Sequence, residues 1–107
     1  MRPVRFWRLL DLGTMSAIDL DRTVRVGEDT VFRELAGEAV LLQLEAGMYY
    51  GLDPVGTRLW QLLAERGKLR DVFEAAQQEF DVDADTLQHD LLALVATLAE
   101  KKLLTFD

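Results

Sequence analysis

Between Thr30 and Pro54 the chain alternates short apolar runs with turn signals, and this rhythm restricts the fold more than any other feature. Thr30 to Leu35 carries Val31, Phe32 and Leu35, and Gly37-Glu38 then marks a tight turn. Ala39 to Leu44 is a short apolar run rich in strand formers, followed by a second turn at Glu45-Ala46-Gly47. Met48 to Leu52, with Tyr49 and Tyr50, is a third short run. Strand-forming runs joined by brief glycine-containing links read as an antiparallel meander. The middle run alternates imperfectly, which predicts a central strand well covered on one face. Asp53-Pro54 ends the sheet. The Asp53 carboxylate suits a helix N-cap, and Pro54 suits the first helical position, where its missing N–H costs nothing.

From there on the apolar period is helical. A first helix is expected from Pro54 to about Arg66, with Val55, Leu59, Leu62 and Leu63 as its stripe, Trp60 at the border and Gly67 just past its end. A second covers about Leu69 to Phe80, with Leu69, Val72, Phe73, Ala76 and Phe80 inward. A third runs from about Ala84 to Lys102 and buries Leu87, Leu91, Leu94, Val95 and Leu98. Asp83 caps it, Asp85 lies in its first turn, and Lys101-Lys102 are placed in its last, an order that complements the helix dipole. Thr23 to Val26 reads as an edge strand. Leu103 to Phe106 reads as either a short terminal strand or an extended tail. Three strands followed by three helices predict an α+β domain of the winged helix-turn-helix kind, with a small antiparallel sheet and helices on one side.

The 107 residues fit one domain. Residues 1–17, MRPVRFWRLLDLGTMSA, read as a flexible extension preceding a folded domain at 18–107, with Met15 as an alternative start. A secretory signal does not fit, because Arg8 and Asp11 interrupt the apolar run. No apolar stretch approaches the roughly 20 residues of a membrane span. The absence of cysteine removes disulfides and thiolate chemistry, and is compatible with the cytoplasmic location expected here.

Residue by residue, catalysis finds little support. His89 is the sole histidine and lies off the apolar stripe, and Ser16, the sole serine, falls in the extension. Asp81, Asp83 and Asp85 alternate as in a calcium loop, but the sixth and twelfth positions are Thr86 and Leu92 instead of Gly and Glu, so helix capping explains them better. Gly47-Met-Tyr-Tyr-Gly51 lacks the Lys-Ser/Thr ending of a phosphate loop. No catalytic residue, metal site or cofactor is therefore expected. A net charge of −7 disfavours phosphate backbones and anionic membranes. A DNA-binding winged helix remains the alternative on topology alone, although the third helix exposes Asp85, Gln88, His89, Asp90, Thr97 and Glu100.

Peptide binding has a more concrete signal. The run Met48-Tyr49-Tyr50-Gly51-Leu52 is uncharged and free of proline, so nothing in it blocks pairing with an added strand. Tyrosine offers an apolar body with a polar tip, suited to a groove lining, and Gly51 lets another backbone come close. The plainer reading makes one tyrosine core and the other rim. A homodimer, with two such edges paired, is the other use of the same edge; the chain is expected to be a monomer or that dimer.

The stretch from Gly37 to Trp60, with its Tyr-Tyr-Gly-Leu-Asp strand end and Gly56…Leu59-Trp60 helix, resembles the PqqD-like family. So do Phe80 to Leu87 and the long helix ending Lys102-Leu103-Leu104. The resemblance covers about residues 24 to 105. It implies a recognition element for ribosomally made, modified peptides, which binds the precursor's leader peptide and presents it to a modifying enzyme. That enzyme is a radical SAM enzyme in pyrroloquinoline quinone pathways and a leader protease with its cyclase in lasso-peptide pathways. Carried over by residue, the resemblance implies strand pairing at Met48, Tyr49, Tyr50, Gly51 and Leu52, and a groove wall at Leu87, Asp90, Leu91 and Leu94. Three features depart from the family pattern: Ala46 in the second turn, Lys68 before the second helix where Thr or Ser is usual, and residues 1–17.

Overall fold

The computed structural model describes residues 18–107; the N-terminal extension and the reading of Met15 as a start lie outside the described residues. The expected meander is present. Strands β2 (Thr30–Leu35), β3 (Glu38–Gln43) and β4 (Met48–Leu52) form an antiparallel sheet in the order β2-β3-β4. Helices α1 (Pro54–Arg66), α2 (Leu69–Glu79) and α3 (Ala84–Glu100) follow. Two further strands, β1 (Val24–Val26) and β5 (Leu104–Phe106), pair antiparallel with each other. The ambiguous C-terminal segment is thus a strand, and its partner is the N-terminal edge strand. The architecture is α+β and winged-helix-like.

The first hairpin turns through Ala36 and Gly37, both at positive φ (57° and 82°), the backbone of a type I′ turn. Glycine adopts it without cost, whereas Ala36 places a Cβ against a carbonyl oxygen. We expect Ala36→Asn to raise stability by about 0.5–1 kcal/mol, because asparagine tolerates this conformation, as a shift in denaturant midpoint will report.

Burial in β3 alternates: Ala39, Leu41 and Gln43 are buried facing the helices, while Glu38 and Val40 are exposed on the outer face and Leu42 there is partly buried. Gln43 is polar on the inner face, and its side-chain Oε1 accepts a hydrogen bond from the Ala46 N–H at 2.8 Å, holding the second turn. Leu41, Leu59, Leu62, Leu63, Leu69, Leu91 and Leu94 form the centre of the core.

Three details of the helices differ from the sequence reading. In α1, Trp60 is buried (2% exposed) rather than marginal, stacking on Phe32 at 6.4 Å, and Val55 is exposed rather than inward. In α2, Leu69, Val72 and Ala76 are buried, but Phe73 and Phe80 only partly so. The third helix stops at Glu100, so Lys101 and Lys102 lie beyond its last turn. Lys101 is the C-cap, Lys102 takes φ 63°, and the Leu103 N–H turns back to the Leu98 carbonyl at 2.9 Å. That reversal delivers β5 to β1. Gly27 sits there against the Lys102 carbonyl, too close for any side chain.

The caps match expectation. Asp53 accepts from the Gly56 N–H and Asp83 from the Thr86 N–H. Lys68 supplies no side-chain cap to α2. Instead the Leu69 and Arg70 N–H groups donate to the Arg22 and Leu20 carbonyls, so the segment before β1 serves as the cap. Arg58 grips Glu79 through two bonds of 2.7 and 2.8 Å, tying α1 to α2, and this holds the Glu79 carboxyl below its ordinary range. Both side chains are exposed, so the pair orients more than it stabilises.

Candidate functional site

Antiparallel strands use their backbone groups alternately on the two sides, so one known bond sets the pattern for a whole ladder. The Leu44 N–H donates to the Asp29 carbonyl at 2.8 Å. With Thr30 opposite Gln43, it follows that Glu38, Val40 and Leu42 of β3 bond to β2, while Ala39, Leu41 and Gln43 turn toward β4. Met48, Tyr50 and Leu52 therefore face β3, and the N–H and C=O groups of Tyr49 and Gly51 point out of the sheet. Among the described residues no strand pairs with that edge, and none of the hydrogen bonds engages those groups.

The side chains follow the same alternation. Tyr49 stands on the outer face, 74% exposed. Tyr50 points to the helix side, partly buried against the core. Met48 is half exposed at the mouth of the second turn, and Leu52 is buried. A Cβ placed on Gly51 would meet nothing within 4 Å, so the backbone there is open to approach. The two tyrosines thus divide: Tyr50 lines the helix side and Tyr49 the solvent side.

On the helix side, spacings of three and four place Leu87, Asp90, Leu94, Thr97 and Lys101 along one stripe. The last of these holds its ammonium 5.8 Å from the centre of the Tyr50 ring. Beside Tyr50 and Lys101 opens a hollow of about 390 Å³, bordered also by Gln43, Glu45, Glu100 and Lys102. Of the helix residues expected to form the wall, Asp90 is half buried, while Leu87, Leu91 and Leu94 are core residues exposed by 3% or less. Leu91 lies on the adjoining stripe with Leu98, both buried.

A residue absent from the sequence reading sets the far end of β4. The Thr57 hydroxyl, buried in α1, accepts from the Ala39 N–H at 2.7 Å and lies 3.3 Å from the Leu52 carbonyl, to which it donates. It thus bridges β3 and β4 where their last ladder bond would stand. No local period marks it, because its burial depends on how α1 lies against the ends of β3 and β4. Lys101 was visible only as a dipole charge, and its place over Tyr50 depends on how α3 lies across the sheet. No helix among the described residues is long and apolar enough to cross a membrane.

The family model for coenzyme PQQ synthesis protein D matches residues 38–104, which span β3 to β5. A search of curated proteins returned no match. Among solved structures, the chain is 38% identical to TbiB1, solved in complex with the TbiA(beta) leader peptide. The TM-score is 0.71, over 75% of this chain and 93% of that one. Lasso peptide synthetase B1, complexed with its leader peptide, shares the fold at 23% identity. There the TM-score is 0.70, over 78% of this chain and 98% of the other. With its meander, its three helices and a match over most of its folded length, this chain belongs to the PqqD family.

Proposed function

We propose that this domain binds the leader region of a ribosomally synthesised precursor peptide, performs no chemistry itself, and presents the precursor to a modifying or processing enzyme. The observation that carries this reading is the open β4 edge, with four backbone groups on Tyr49 and Gly51 directed outward, in a chain 38% identical to a leader-peptide complex. The leader adds as a strand along Met48 to Leu52. Side chains on its helix side enter the hollow beside Tyr50 and Lys101 and run on along the helix flank that carries Asp90, Leu94 and Thr97. Leu87 and Leu91 support that wall from within the core.

Four backbone bonds at about 0.5–1.5 kcal/mol each are too few to order a peptide alone, so the leader also carries apolar anchors for the groove. The enzyme partner is either a leader protease with its cyclase or a radical SAM enzyme. The working state is a cytoplasmic monomer. The nucleic-acid alternative finds no support in the exposed side of α3, whose Asp85 and Glu100 repel phosphate.

The test is titration with the leader of a precursor encoded beside the gene, followed by amide shifts in NMR. Shifts concentrated at Tyr49, Gly51 and the Asp90-to-Lys101 stripe are expected. Shifts confined to α1 or spread evenly would sink the edge model. A leader bearing Lys or Arg should associate faster with this −7 chain, with an association rate that falls as salt rises, which stopped-flow mixing will measure.

A further inference from the structure

The sheet has two outer edges, β4 on one side and β2 on the other. By the same alternation that opens β4, the N–H and C=O groups of Thr30, Phe32 and Glu34 point outward from β2. Beside that edge lies an apolar hollow of about 370 Å³, bordered by Val26, Thr30, Phe32, Trp60 and Ala64. β2 itself carries Val31, Phe32 and a largely exposed Leu35. An open strand edge next to an apolar hollow is what an extended chain needs in order to dock. The β2 edge, with this apolar hollow beside it, is therefore a second potential acceptor.

Two features distinguish it from β4. The Thr30 N–H is already spent on the Gly27 carbonyl. The Arg33 guanidinium folds back along the strand and donates from Nη1 to the Phe32 carbonyl at 2.9 Å. The outward carbonyl at the middle of the edge is thus occupied by a charged, hydrated side chain that an incoming strand would have to displace. β4 carries no charged residue and no such cover.

We propose that Arg33 closes the β2 edge, so that the sheet accepts one extended chain, at β4 alone, and does not pair with a second copy of itself. The single-site part of this rests on the leader-docking reading above; the self-pairing part does not.

The experiment compares the wild-type chain with Arg33→Val and Arg33→Ala by sedimentation velocity over a wide concentration range. Arg33 is exposed, so both variants keep the fold. The wild type should stay monomeric. Arg33→Val should self-associate at least about tenfold more strongly, with the Phe32 and Glu34 amides gaining hydrogen-exchange protection, and Arg33→Ala should do so to a lesser degree. Variants that remain as monomeric as the wild type would overturn the proposal, as would a wild type that already pairs through those amides. Titration of the wild type with the leader is the separate control: no shift at Tyr49 and Gly51 would sink the docking reading and leave the Arg33 result standing.

Discussion

Replacing Gly51 by proline is expected to weaken leader binding by at least about a hundredfold, on the order of 3 kcal/mol, while the domain stays folded. The separation follows from the direction of one N–H group. The Gly51 amide points away from β3, so proline deletes no bond of the β3–β4 ladder, and proline is tolerated on an edge strand in this orientation. Its ring restricts the preceding residue to extended backbone, which Tyr50 already has. The incoming leader loses a donor, and it meets a ring where it needs close backbone approach.

Gly51→Ala is the companion. Its methyl group would meet nothing within 4 Å, so it keeps both the N–H and the fold and should retain most of the binding. Calorimetric titration gives the affinities, and far-UV circular dichroism with thermal melts checks the fold. Full binding by the proline variant would show that the leader does not pair with this edge.

Much of the architecture was legible because its punctuation is chemical. Gly37, Gly47 and Asp53-Pro54 can each do few other things than turn or start a helix, so the strand limits and the start of α1 fall within a residue or two of expectation. Burial was harder to read. Val55 has the right phase but sits in the first turn of α1, where phase alone does not say whether a neighbour covers it. Trp60 is buried because Phe32, 28 positions earlier, stacks on it, a contact no local period contains.

The site was legible in the same uneven way. The strand run from Met48 to Leu52 announced an uncharged edge, but only the ladder pattern decided that Tyr50 turns inward and that Tyr49 and Gly51 hold the outward groups. On α3, the leucines that the period marks are core first. Asp90, named with them, is the one member of the expected wall that stays partly exposed, and Lys101, which a hydrophobic stripe leaves unmarked, is the residue that reaches the Tyr50 ring.

Thr57→Val should test how far the docking edge depends on what lies behind it. Valine matches threonine in shape but removes the hydroxyl that accepts from the Ala39 N–H and donates to the Leu52 carbonyl. Both groups lie in a buried setting, and leaving each unsatisfied costs about 1–3 kcal/mol, so a loss of about 2–4 kcal/mol is expected in denaturant unfolding. If β3 and β4 close up to form the direct ladder bond, the loss shrinks toward the lower end. In that case the C-terminal end of β4 must shift toward β3 and carry the outward groups of Gly51 with it. Leader affinity and stability are therefore coupled in this variant: a small stability loss predicts a displaced edge and weaker binding, and a large one predicts an edge in place but a less stable domain. A serine at position 57 keeps the hydroxyl and should restore both, through a bond that valine cannot make. If Thr57→Val changes neither quantity, the hydroxyl bridge does not hold the edge.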